Sequence, residues 1–377
     1  MILGINAGRA RSGGAVAHII GVMNAVNPAD FGISEVHVWS YGKLLAALPG
    51  APWLIKHNPA DLEQSLLRQM LWERFSLPAS LKTAGCSMLL NVDAGSICRF
   101  KPAVTMSRDM LCYEPGEIAR YGFSKASLRL IALRFAQNAS LRSADGAVFL
   151  TRYASTAIQD SCGPLKRVAQ IPHGVGAAFQ AIEPRFAWPL PGERPIRCLY
   201  ISNAELYKHQ WNVVKAVRLL REKGHDVRLE LVGGGSGKAQ ERLEKEIADS
   251  DPGRQFVVQR EFVPQHTLPD FLAQADLFIF ASSCEAFGIT LLEAMAAGLP
   301  IACSNRSSLP ETLKDGGTYF DPENHAEIAA AIEELICDAA KRERVAMRAK
   351  ELSRQYSWER CAHELFSFIA KTATQEA

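Results

Sequence analysis

Short apolar runs alternate with helix-patterned stretches along almost the whole chain, break off once, and begin again. In the first half, 2–6, 36–39, 88–92, 104–106 and 147–150 read as strands, and 15–27, 60–75, 117–142 and 153–160 as helices. Runs this brief and this continuously apolar have no wet face. They predict parallel sheets covered on both sides, built from right-handed β-α-β crossovers. Between 180 and 195 the chain turns rich in proline, with Pro184, Pro189, Pro191 and Pro195, which predicts a linker. The alternation then resumes with strand 198–202, helix 210–223, strand 227–233 and helix 237–248, and 256–259 and 267–274 continue it. The expected fold is α/β, with two Rossmann-like doubly wound domains facing across a cleft. A last helix opens at Trp358 and reaches about 374.

The chain's 377 residues suffice for two such domains, and 48% apolar with 22% charged residues is a globular composition. Nine scattered cysteines without a CxxC pair predict neither a disulfide framework nor a zinc site. No apolar run approaches the roughly 18 residues of a membrane span. The opening Met1-Ile-Leu-Gly-Ile-Asn6 reads as a strand rather than a signal segment. The expected compartment is the cytoplasm. Residues 1–185 carry 19 Lys and Arg against 12 Asp and Glu, whereas the remainder carries 23 against 28. A basic first half suits either a solvated surface or peripheral contact with the anionic cytoplasmic face of an inner membrane. The excess is too diffuse, and too poor in aromatic-basic interleaving, for a nucleic-acid protein.

The chemistry concentrates between Asp276 and Glu311. The apolar run Leu277–Phe280 is a strand, a loop carries Glu285 past Gly288, and a helix with Leu291, Leu292 and Met295 on one face stops at Gly298 before Pro300. A strand, a glycine-bearing loop and a helix N-terminus form an anion site, and carboxylates beside it suit hydroxyl groups attached to phosphates. That describes a sugar nucleotide. Two readings fit Glu293: Thr290-Leu-Leu-Glu293 matches a capping box, and a carboxylate there also suits ribose hydroxyls. Lys208 stands where a strand has ended and a helix begins, as either a surface lysine or a counter-charge for a leaving diphosphate.

Other motifs remain open or fail. Gly13-Gly14, after the loop Arg9-Ala-Arg11-Ser12 and ahead of a helix with His18, fits an ordinary turn or a backbone approach to phosphate. The run Gly233-Gly-Gly235-Ser-Gly237-Lys238 is no Walker A loop, because Val232 and Ala239 occupy required positions, and Lys238 replaces the third glycine of a dinucleotide fingerprint. Asp249-Ser-Asp251 is the single DxD, and its setting before Pro252-Gly253 favours a solvated turn over a metal site.

Glu285-Ala-Phe-Gly-Ile-Thr-Leu-Leu-Glu293, with Ala294-Met295, Gly298-Leu-Pro300 and Pro310-Glu311, resembles the E-x7-E region of GT4-type retaining glycosyltransferases. The likeness extends through Gly13-Gly14, Ile171-Pro-His-Gly174, Lys208 and Gly233–Gly235. It implies a GT-B fold with an acceptor-binding domain at 1–183, to which helix 358–377 returns, and a nucleotide-sugar-binding domain at 196–357. It implies that Glu293 binds ribose hydroxyls and that Glu285 contacts the donor sugar. Phe287, Gly288, Ile289 and Thr290 would surround sugar and phosphate, with Gly233, Gly234 and Val263 alongside. Lys208 and the Gly13-Gly14 loop would hold the diphosphate. No cofactor or metal is implied beyond the donor substrate, and the other partner is a glycan or lipid-linked acceptor. The expected activity is hexosyl transfer from GDP-mannose or a UDP-sugar in bacterial surface polysaccharide synthesis. Two departures stand out. Ser202 occupies a position where many relatives have arginine, so that either Arg9 or Arg11 substitutes as the cation or the donor pocket differs, and Ser107-Arg108-Asp109-Met110 replaces a histidine loop, making Arg108 and Asp109 acceptor-side or donor-side candidates. A nicotinamide-dependent oxidoreductase and a non-catalytic sugar-nucleotide-binding protein are the alternatives.

Overall fold

The computed structural model describes residues 1–11, 13–185, 187–189 and 192–374. It divides into two compact units, Met1–Gly174 with Tyr356–Ala377, and Val175–Gln355.

The first unit is built on seven parallel strands: β1 (Ile2–Asn6), β2 (Glu35–Trp39), β3 (Leu54–His57), β4 (Met88–Asn91), β5 (Ala103–Ser107), β6 (Gly146–Phe149) and β7 (Val168–Gln170). Their spatial order is β3-β2-β1-β4-β5-β6-β7, so the winding reverses between β1 and β4. The central strands β4, β5 and β6 are buried at every residue, as strands covered on both faces must be. The strands invisible to sequence patterning, β3 and β7, are the edges. They are largely half-buried or exposed and carry no continuous apolar run.

Helix patterning at 60–75 dissolves into a short turn at Ala60–Glu63, a helix at Leu66–Leu71, a wide turn at Trp72–Ser76 and a further helix at Leu77–Thr83. The stretch expected as 117–142 is interrupted at Gly122, which has φ 57°, and its helix starts at Lys125 behind a Ser124–Ser127 capping box. The terminal helix Trp358–Thr374 belongs to the first unit. Cys361, Ala362, Leu365, Phe366 and Ile369 join one core with Leu3, Ile5, Val36, Met88 and Val104. A Cβ on Gly21 would lie 2.2 Å from the Trp358 ring, so only glycine lets the helix Gly13–Ala25 receive that indole. Residues 375–377, the end of the expected helix, lie outside the described residues.

The second unit carries six parallel strands: β8 (Ile196–Ile201), β9 (Val227–Val232), β10 (Val257–Arg260), β11 (Leu277–Phe280), β12 (Ile301–Ser304) and β13 (Thr318–Phe320). Their order is β10-β9-β8-β11-β12-β13. Strand order reverses between β8 and β11, and the loops leaving the C-terminal ends of these two strands flank the place where such sheets bind ligands. The proline-rich stretch is fastened to this unit. Lys350 donates to the Ile182 carbonyl at 2.6 Å, and Arg194 grips Asp276 at 2.6 and 2.9 Å. The changeover between units falls at Gly174 and Val175, ahead of the prolines, and Pro191 lies outside the described residues.

Candidate active site

In the second unit, the loops after β8 and β11 are laced together before any side chain reaches into the site. Ser283 N–H donates to the Tyr207 carbonyl at 2.8 Å, and buried His209 shares a 2.9 Å hydrogen bond with the Ser283 hydroxyl. His209 adopts φ 49°, a left-handed turn that ends the short turn Leu206–Lys208 and opens the helix Gln210–Glu222. Tyr200 OH, buried at the end of β8, donates to the Lys208 carbonyl at 2.7 Å and fixes the lysine's stem. Lys208 Nζ then forms an ion pair with Glu285 Oε1. These two residues are 77 positions apart in sequence, and both side chains are largely shielded.

The Glu285 backbone is held from a third loop. Its N–H donates to Ser307 Oγ at 3.1 Å, and its carbonyl accepts from Ser307 and Ser308 hydroxyls at 2.9 and 2.8 Å. These two serines were not anticipated. Nothing in their local sequence shows that they grip a loop more than twenty residues earlier. Beyond Glu285, Phe287 is buried and its carbonyl accepts from Thr312 Oγ1 at 3.2 Å. Gly288 has φ 85° and stands at the N-cap of the helix Ile289–Ala297, where no side chain caps the helix. Ile289 and Thr290, in the first turn, are half-buried. An uncapped helix start beside a lysine is positive on both counts.

The capping-box reading of Glu293 does not hold. With Gly288 as N-cap, Thr290 is the second helical residue and Glu293 the fifth, two positions past the one from which a capping glutamate reaches back. Glu293 is instead buried, with Oε1 accepting from Gln265 Nε2 at 2.5 Å and Oε2 lacking a partner among the described residues. Burial raises its pKa to about 8, the Gln265 hydrogen bond opposing only part of the rise. Gln265 begins the turn Gln265–Thr267, two residues after half-buried Val263, so the loop after β10 lies over this carboxyl.

The glycine-rich turn has a packing reason. A Cβ on Gly233, at φ 120°, would lie 2.5 Å from the Ser202 carbonyl oxygen, and one on Gly235 would lie 2.6 Å from Ala204 Cβ. Ala204 N–H donates to the Gly234 carbonyl at 3.2 Å, so these glycines let the loop after β9 run against the loop after β8. Ser202 itself is held by Gln210 Nε2 at 3.1 and 3.2 Å. Asp251 of the DxD accepts three backbone N–H groups, from Gln255, Phe256 and Val257, within 2.9 Å. Burial alone would raise its pKa, but these donors and Arg221 outweigh it and hold the pKa low. Its carboxylate closes a turn.

In the first unit, Gly13 has φ 54°, opens the helix Gly13–Ala25, and has empty space where a Cβ would stand; Gly14 follows, half-buried. Ser12 lies outside the described residues. The two candidate cations before them are engaged within the unit: Arg9 pairs with Glu73 at 2.9 Å, and Arg11 bonds the Gly8 carbonyl at 3.0 Å and stacks over Tyr41. Arg108, just past β5, is half-buried, donates through Nε to the Val92 carbonyl at 2.7 Å, and has a buried Nη1 without a partner among the described residues. Burial lowers its pKa against the pull of Asp93 and Asp109. Asp109 Oδ1 accepts from Leu111 N–H at 2.9 Å. Nearby His18 and His173 meet at 3.0 Å between Nδ1 atoms, and burial, then mutual repulsion and Arg108, keeps His18 neutral.

The fold is shared with solved structures. Sucrose-phosphate synthase from Thermosynechococcus elongatus superposes with a TM-score of 0.76 at 16% identity over 100% of both chains. HepE from Anabaena, solved with UDP and glucose, gives 0.71 at 18% identity over 98% of this chain and 99% of its own. The two doubly wound units thus define a protein of the GT-B glycosyltransferase fold. Residues 183–352, within the second unit, match the family described as glycosyl transferases group 1. O-antigen chain mannosyltransferase B of Escherichia coli is 31% identical over 163 residues, 43% of this chain and 42% of the relative. The GDP-mannose-dependent alpha-(1-6)-phosphatidylinositol monomannoside mannosyltransferase of Mycolicibacterium smegmatis is 30% identical over 234 residues, 58% of each. The chain spans about half the length of the curated relatives it matches.

Proposed function

We propose that the protein is a retaining glycosyltransferase that moves a hexose from a nucleoside-diphosphate sugar to a glycan or lipid-linked acceptor, without a metal ion. The observation that carries this is the Lys208–Glu285 ion pair beside an uncapped helix start, set where strand order reverses in a group 1 domain. In this reading Lys208 leaves Glu285 to meet the diphosphate, neutralising the charge that grows as the sugar C1–O bond breaks. The first-turn N–H groups at Ile289 and Thr290 assist it. Glu285, released from the lysine, contacts the sugar. Glu293 takes the ribose hydroxyls once Gln265 swings aside.

The acceptor oxygen bonds to C1 on the face the diphosphate leaves, and the acceptor's proton passes to a diphosphate oxygen. The protein then acts by positioning and by stabilising charge, with no covalent intermediate. The two mannosyltransferase relatives favour GDP-mannose as donor, and the UDP complex of HepE keeps a UDP-sugar as the rival. The E. coli relative's name favours surface polysaccharide synthesis. In this reading the first unit takes the acceptor, and Arg108 and the Gly13-Gly14 loop face the donor. The work is placed in the cytoplasm, against the inner membrane.

A thermal-shift series with GDP, UDP, ADP and their sugars tests the reading. One nucleoside diphosphate and its sugar should raise the melting temperature in a concentration-dependent way, since a ligand of the folded state stabilises by mass action. A flat response across the series overturns it.

A further inference from the structure

We propose that the helix Lys125–Ser143, with Phe123 just ahead of it, seats the first unit on an anionic lipid surface. The helix carries apolar residues on two faces. Its buried side holds Leu130 and Leu141 with Gln137, Asn138 and Ser140, and Leu128, Ile131 and Phe135, spaced three and four apart on another face, are exposed at 68%, 36% and 64%. Phe123 is fully exposed. A helix apolar on its outer face as well as its inner one is covered on both.

Charge selects the covering. Lys125, Arg129, Arg134 and Arg142 line this helix, which contains no Asp or Glu, and none of the four forms an ion pair among the described residues. Two copies meeting through this face about a two-fold axis would set like charges against each other. Leucine and phenylalanine framed by cations instead fit the boundary between head groups and acyl chains of an anionic bilayer.

A second segment of the same unit repeats the chemistry. Leu67, Leu71 and Phe75 recur every four residues and are exposed beside Arg68 and Arg74. Glu73, the single carboxylate between 66 and 83, is buried and held by Asn6 and Arg9. Of the eleven large apolar side chains exposed among the described residues, eight lie on these two segments, so the exposure is concentrated rather than scattered. Among the described residues no helix is long and apolar enough to cross a membrane, and the contact proposed is one of lying on the surface.

The inference deepens the reading above, giving a lipid-linked acceptor a surface at which to be met, but its test needs neither donor nor turnover. Co-sedimentation compares vesicles of phosphatidylcholine alone with vesicles of phosphatidylcholine and phosphatidylglycerol. The wild-type chain should bind the mixed vesicles and be released by salt. Leu128→Ser with Phe135→Ser should weaken that binding at least roughly tenfold, and Lys125→Glu with Arg129→Glu should remove the preference for anionic lipid. Both double variants should keep the wild-type melting temperature and nucleotide response, because all four side chains are exposed and lie in the other unit. Absence of wild-type binding, binding that neither double variant weakens, or a dimer that the variants dissociate in place of vesicle binding overturns the proposal. A wild type that responds to sugar nucleotides but ignores vesicles sinks this inference alone.

Discussion

Glu293 is a carboxyl group in an apolar helix interior, with one donor from Gln265 and an Oε2 that has no partner among the described residues. Its folded pKa of about 8 exceeds the ordinary 4.5, so the folded chain binds this proton more tightly than the unfolded one. The stability it contributes is complete below the ordinary value and is lost as the pH rises through about 8, at up to about 1.4 kcal/mol per pH unit. Glu293→Gln should therefore flatten the fall in melting temperature between pH 5 and 8. An unchanged slope would place the titrating group elsewhere. Ribose hydroxyls donating to this carboxyl would favour its ionised form. Donor binding near neutral pH should then release a proton, visible in calorimetry as a dependence of the binding enthalpy on buffer, and absent in Glu293→Gln. Sequence placed Glu293 beside the site but left a capping box open. Only the position of Gly288 as N-cap, a matter of backbone conformation, removed it. Gln265 gave no signal because its contact is set by how the loop after β10 folds over.

At the scale of elements, central strands were legible, and of the four edge strands only β10 was. Leu277–Phe280 and Met88–Asn91 are buried throughout, and apolar but for Asn91, because helices cover both faces, whereas β3 and β7 have a wet side and dilute the pattern. The proline-rich stretch shows the same limit: its composition reads as a linker, yet Lys350, Arg194 and Asp276 tie it to the second unit through contacts distant in sequence. Gly233, which with Gly234 the resemblance sets alongside sugar and phosphate, is required together with Gly235 for loop-to-loop approach at Ser202 and Ala204. The terminal helix is the clearest structural commitment, since it fills the first unit's core through Phe366. Phe366→Ala should cost about 3–5 kcal/mol in denaturant unfolding. A loss under about 1 kcal/mol would mean that the helix adds little to that core.

For the whole molecule, two doubly wound sheets of the same winding place their reversal points at β1–β4 and β8–β11, and the residues singled out for chemistry lie at the loops leaving those strands or their neighbours. Glu285 and Lys208, far apart in sequence, meet because those loops flank one reversal point, and Ser307 and Ser308 fix the glutamate's backbone from the next loop. The central claim is that this ion pair opens to hold and activate a sugar nucleotide. Release of nucleoside diphosphate from the donor identified by thermal shift, followed for wild type and Glu285→Ala at matched donor saturation, tests it most directly. The account expects Glu285→Ala to remain folded, to bind donor, and to lose about a hundredfold or more in turnover. Near-normal turnover in that variant would contradict it.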